Sequence, residues 1–343
     1  MSFKRLDPED ISISAESIVA PAWTGQQTTL SAFYTSSEQV GIGAGQYYYN
    51  IYQSDPATTT GAEVQFSLGY GNRVGSGSTP LNASIPGLSP SSIIYGQYRN
   101  LVNGDENANF KFGTVTPDSI LTISVNRSRF KEKLLPGSFN LSLTSGSNTI
   151  NLTDNSETLT TVSYLDAGRV YDIVSGSNGV ANTSINQSGF TFASGSYGKF
   201  LPDVGVIILN VEALKAPVGI TGGGLAITSI NEGININPTV NLTAFYNLLR
   251  VGANFQLKSE ETVTSDYVFV RVRNSEFNYS TNPSIISSSG ELRYDVLVNS
   301  PQVYVTTVGM YNDNNDLLGV AKLSKPLLKD FTKEALIRIK LDY

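Results

Sequence analysis

The sequence predicts a mainly β protein: multi-domain, built from β-sandwich- or barrel-like domains, with one or two short helices. Three observations lead there. Charged residues make up only 15% of the 343-residue chain, against roughly 25% in an average soluble protein, and Ser, Thr, Asn and 31 glycines fill the gap. Apolar residues alternate with polar ones in several short runs, the period of a half-buried strand. Turn formers such as Asp55-Pro56 and Pro136-Gly137 punctuate those runs. The length suits two or three domains and is enough to bury a core without disulfides.

Residues 1–20 read as an N-terminal arm. Ile11 and Ile13 alternate with Ser12 and Ser14, and an arm with no second apolar face pairs with something else; the alternative is an edge strand of the first domain. Residues 21–145 form a β-rich domain. Tyr47 to Tyr52 is aromatic and β-prone, and Val64, Phe66 and Leu68 alternate with polar neighbours. Residues 92–98, 103–105 and 109–112 read as strand, turn and strand. Ile120 to Val125 is strand-like, and Phe139, Leu141 and Leu143 alternate.

Residues 146–235 read as a loop-rich β region, an inserted one by composition, with strand-sized apolar runs at 159–164 and 170–174. The apolar run 204–211 fits a strand buried on both faces, though periodicity leaves a buried helix open. Residues 236–343 read as a helix followed by a C-terminal β module. Asn237 can cap and Pro238 suits the first helical position, and Leu242, Phe245, Tyr246 and Leu249 recur at helical spacing. Strands are expected over 267–272, 302–311 and 335–343, with a hairpin turn at Asp313 to Asp316.

The chain contains no cysteine and no histidine, so disulfides, His-based triads and His or Cys zinc sites are excluded. No catalytic, cofactor or metal residues are expected. Paired carboxylates could serve a glycosidase, but Asp105-Glu106 and Glu260-Glu261 sit in polar, turn-like contexts. Gly222-Gly223-Gly224 lacks a phosphate-loop context and reads as a flexible turn. Asp313-Asn314-Asn315-Asp316 lacks the central Gly and the closing Glu of a calcium loop. Arg127, Arg129, Lys131 and Lys133 form the densest basic patch and read as a solvated face. With a net charge of −6, no nucleic-acid partner is expected. The N-terminus lacks the apolar region of a signal peptide, and no run reaches the ~18 apolar residues of a membrane span; synthesis in the cytoplasm is the expectation.

The C-terminal third is the most specific part. Val303-Tyr304-Val305-Thr306-Thr307-Val308-Gly309-Met310-Tyr311-Asn312, then Asp316-Leu317-Leu318-Gly319-Val320-Ala321-Lys322-Leu323, then Pro326-Leu327-Leu328-Lys329 resemble a "TVGLYN…LLAVGKL…P" pattern of phage tail and baseplate structural proteins. The segments 271–283 and 331–343, and the start Phe3 to Ile11, resemble structural proteins of T4-like contractile-tailed marine bacteriophages. The resemblance is firmest over about 240–343, weaker over 1–145 and absent from 146–200. It implies a virion location, in the tail, with other tail or baseplate proteins and further copies of the chain as partners; it carries no catalytic residues to transfer. The expected interaction residues are Phe3, Leu6, Ile11 and Ile13 on the arm. Pro326, Leu327, Leu328 and Phe331 join them from the 325–331 connection, whose apolar residues either fold back on the core or anchor a partner. A tail-fibre-type receptor-binding adhesin and a carboxylate glycan hydrolase are the alternatives.

Overall fold

A computed structural model describes residues 4–35, 48–77, 90–182, 196–218, 223–233, 238–280 and 282–342. Phe3, Asn237 and Gly222 lie outside the described residues. The chain is mainly β and divides into two compact units, Ile18–Glu261 and the pair of segments Met1–Ser17 and Thr262–Tyr343. The first seventeen residues thus belong with the C-terminal module, and the helix that follows residue 237 belongs to the larger unit.

The larger unit is organised by one antiparallel sheet. Its strand order runs Thr29–Leu30, Phe255–Gln256, Asn140–Ser145, Asn148–Asp154, Gly168–Ser177, Gly198–Leu201, Val206–Asn210, Ser119–Val125, Val64–Asn72, Tyr48–Tyr52, Tyr34–Thr35. Phe255 and Phe66 stand seven strand steps apart along this order. In a flat sheet seven steps span about 34 Å, yet the two rings lie 5.2 Å apart. The sheet therefore curls until its ends meet, which is the barrel-like form the composition led to.

An aromatic seam joins the ends. Trp23 packs on Phe255 at 4.9 Å and on Phe66 at 5.9 Å, and its indole N–H donates to the Phe255 carbonyl at 3.0 Å. Phe139 continues the seam from Phe255 to Phe200. Helix Pro238–Gly252 packs against Asn140–Ser145 and against Val64–Asn72, six steps apart in the order. Its Leu242, Phe245 and Leu249 are buried in the same inner core, as their helical spacing predicted; Leu248 joins them, and Tyr246 packs against the core partly buried.

A second core covers part of the outer face. Along Val206–Asn210, Ile207 and Leu209 join the inner cluster while Val206 and Ile208 join the outer one. Burial on both faces is why this stretch is apolar throughout. The lid of the outer core is helix Ser91–Asn103, contributing Tyr95 and Val102, so the strand expected over 92–98 is a helix. Ile93 and Ile94 favour a strand locally, but Ser91, Tyr95 and Val102 bury one helical face, and Gly104 ends the helix in the left-handed conformation at φ 63°. Gly71 lets this helix sit directly on the sheet: a Cβ there would lie 2.7 Å from the Tyr95 nitrogen. Residues 109–112 form an isolated bridge, Phe112 to Val115, rather than a strand.

In the smaller unit the strand order is Ile11–Pro21, Lys258–Val272, Ala335–Asp342. The first two strands also run into the larger unit. Val268 stands opposite Ile339 and Val270 opposite Ile337. A separate hairpin pairs Gln302–Tyr311 with Leu317–Asp330. Its turn is held by Asn312, whose side-chain oxygen accepts from the backbone N–H of Asn314 at 3.0 Å and of Asp316 at 2.7 Å. The apolar cluster is small: Val268, Ile337 and Ile339 are buried, with partly buried Val305, Val308, Met310 and Leu327 among those around them.

Lys329 is fully buried without a carboxylate partner in its hydrogen bonds. Its ammonium donates to the carbonyls of Asn274 and Asp330 and to the side-chain oxygen of Asn278 at 2.7 to 3.0 Å. Three acceptors satisfy its three donors and tie the 274–278 segment to the hairpin.

Candidate functional site

The expected interaction residues fall into different environments. The arm is a strand of this chain's own sheet, paired with Lys258–Val272; Ile11 and Ile13 are exposed on it, Ile13 at 68%, while Leu6 packs on the small apolar cluster. The connection expected at 325–331 is instead the end of a strand. Val305 pairs with Leu327 and Thr307 with Lys322, so residues 323–326 bulge out opposite one residue. Pro326, which has no N–H to give a ladder, sits in that bulge. Leu327 turns to the apolar cluster, Leu328 is half-buried, and Phe331 is 54% exposed.

The charged candidates are engaged elsewhere. Glu260 and Glu261 are consecutive on a strand and so point to opposite faces; Glu260 meets Lys133 at 3.6 Å and Glu261 meets Lys131 at 2.6 Å. Arg129 pairs with Glu63 at 2.7 Å, and Arg127 donates to the carbonyls of Phe130 and Lys131. The basic patch is thus largely neutralised by its own neighbours. Asp105 caps an exposed turn, accepting from the Asn107 N–H at 2.8 Å. Gly223 and Gly224 are packed rather than a free turn: Tyr197 donates its hydroxyl to the Gly223 carbonyl, and a Cβ on Gly224 would meet the Ala213 carbonyl at 2.1 Å.

Two acids, buried Asp154 and half-buried Asp203, have structural roles. Burial pushes the Asp154 carboxyl above its ordinary range, although the N–H groups of Gly137 and Ser156 donate to it. At Asp203 burial pushes the same way, but the Arg169 side chain and backbone N–H outweigh it and leave the acid below its usual range.

A polar cleft lies on the larger unit. It holds about 520 Å³ and is lined by the side chains of Asn140, Asn151, Asn178, Asn182, Asn254 and Gln256, with Ser142, Ser177, Val180 and Ala181. Its floor is sheet: Asn140 stands opposite Gln256, and Ser142 opposite Asn151. One wall is the turn that pairs Gly168–Ser177 with Val180–Ala181. Gly176 makes that fold-over possible, since a Cβ there would lie 2.1 Å from the Val180 carbonyl.

The amides brace one another. Asn140 donates to Asn178 at 3.0 Å and to Gln256 at 3.3 Å, and accepts from the Asn178 N–H at 2.7 Å. The Ser142 hydroxyl donates to Asn151 at 2.7 Å and accepts from Asn254 at 3.2 Å. The sequence had no signal for this site: its residues come from three separate stretches and are common in a chain rich in asparagine and serine. Among the described residues no helix is long and apolar enough to cross a membrane. No protein-family model, no curated protein and no solved structure matches the chain.

Proposed function

We propose that this chain is a structural subunit of a bacteriophage tail, placed in the baseplate, that works through contacts with its own copies and with other tail proteins and performs no catalysis. The phage part of this reading rests on the resemblance of residues 240–343. The observation that supports assembly is the surface of the smaller unit. Among the described residues that unit carries more than half of the exposed large apolar side chains, among them Ile13, Tyr304, Leu318, Val320, Phe331 and Leu336. Its buried apolar side chains are only Val268, Val272, Ile337 and Ile339 among the described residues. A module that buries so little and shows so much apolar surface gains stability by covering that surface with a partner.

Phe331 and Leu336, at 54% and 67% exposure, would together contribute about 2–4 kcal/mol on full burial, before association costs. The test is sedimentation velocity on the full chain and on Phe331→Ser with Leu336→Ser. The reading expects concentration-dependent association of the parent chain, lost in the variant with the melting temperature kept. A chain that stays monomeric at every concentration and does not co-purify with tail particles would refute it.

A further inference from the structure

We propose that the amide-lined cleft of the larger unit binds a neutral saccharide. The proposal stands apart from the tail reading and rests on the cleft alone. Its volume of about 520 Å³ falls within the roughly 300–1,000 Å³ of small-ligand sites. Among the described residues twelve line it; none of these ionises, and six carry carboxamides. A charged ligand would leave its charge there without a partner, which is costly. A carboxamide both donates and accepts hydrogen bonds, and so does each hydroxyl of a sugar.

The placement is regular. Asn140 and Ser142 are two residues, about 6.7 Å, apart on one strand and face the same way; Asn140 pairs across to Gln256 on one neighbouring strand and Ser142 to Asn151 on the other, so polar groups span three strands of the floor. Internal hydrogen bonds hold Asn140, Asn178, Ser142 and Asn151 in position, which lowers the ordering cost of binding. Val180 and Ala181 on the wall give a small apolar surface for the C–H face of a sugar ring.

The same inventory argues against a protein segment as the occupant. Protein contacts are dominated by aromatic and Arg anchors seated in pockets, and among the described residues that line the cleft none is aromatic. The lack of an aromatic platform also sets the expected strength: hydrogen bonds exchanged with water contribute little net, so a dissociation constant of about 0.1–10 mM is expected.

Saturation-transfer NMR on the full chain tests this with glucose, galactose, mannose, N-acetylglucosamine, lactose, maltose and chitobiose, each up to about 50 mM. At least one should bind, equally well in about 0.05 M and 1 M salt, because no charge takes part. Asn151→Ala with Gln256→Ala should weaken binding about tenfold or more. Val180→Trp, which fills the cleft without removing an amide, should abolish it. Folding of each variant is checked by its cooperative melting transition followed by circular dichroism. Binding by none of the probes overturns the proposal, as does binding that survives both variants or that salt removes. Cleft-dependent capture on a peptide array, with no sugar bound, would assign the site to a protein partner and overturn it equally.

Discussion

Substituting Phe255 by Ala tests whether the aromatic seam is what closes the sheet. Phe255 is fully buried and its ring touches Trp23, Phe66 and Phe139 at 4.9, 5.2 and 6.0 Å. Burial loss and the cavity left behind together cost about 3–5 kcal/mol for a buried Phe. The surroundings have little freedom to collapse, because the seam joins two ends of one sheet, so a value near 4 kcal/mol is expected. The chain has a single tryptophan, Trp23, only 2% exposed. Its fluorescence therefore reports the seam directly, without contribution from the smaller unit. With a urea dependence of about 2–3 kcal/mol per M, the Trp23 transition should move down by about 1.5–2 M. Phe255→Leu should cost less than half of that. A shift under about 0.3 M for the Ala variant would mean the seam is not holding the sheet ends together.

Gly71→Ala should lower the melting temperature of the larger unit, since the added Cβ meets the backbone of Tyr95 at 2.7–2.8 Å and the helix must move, at a cost of about 1–3 kcal/mol; calorimetry checks it. Asp154→Asn should flatten the pH dependence of stability. The acid's folded pKa is raised by burial, so the stability due to its neutral form is full below its unfolded value and is lost as pH rises through the folded one; unfolding titrations across the acid range should show that fall in the parent and not in the variant. Leu327→Ser should destabilise the smaller unit by about 1–3 kcal/mol, because Leu327 packs on its apolar cluster, whereas Phe331→Ser should leave stability within about 0.5 kcal/mol; hydrogen exchange over residues 302–342 separates the two.

Much of the fold was legible because alternation and burial speak the same language. Phe66, Leu68, Phe139, Leu141 and Leu143 alternate with polar neighbours in the sequence, and all are buried. The helix 91–103 was hidden because Ile93 and Ile94 argue for a strand in isolation, while its helical signal is a spaced set, Ser91, Tyr95 and Val102, closed by Gly104. Pro326 looked like the start of an irregular connection, but a bulge of four residues absorbs it without ending the strand. The cleft could not be read at all. Asn140, Asn178 and Gln256 meet only because the sheet register brings them together, and register is a tertiary property that local composition does not encode.

The larger unit is an insertion within the smaller one, with consequences for how the chain can be made. Residues 4–17 leave the ribosome before residues 262–342, and the strand that begins at Ile11 must wait for them to complete its sheet. Joining them across 244 unfolded residues (18 to 261) would cost about 5 kcal/mol in loop-closure entropy. The insertion removes that cost if it folds first. Ala22 then bonds the Leu257 carbonyl at 3.3 Å and Ser259 bonds the Ala20 carbonyl at 3.3 Å, so the two ends of the insertion leave it side by side. Vectorial synthesis and topology therefore favour one order, in which the larger unit forms early and the apolar-faced smaller unit is completed last.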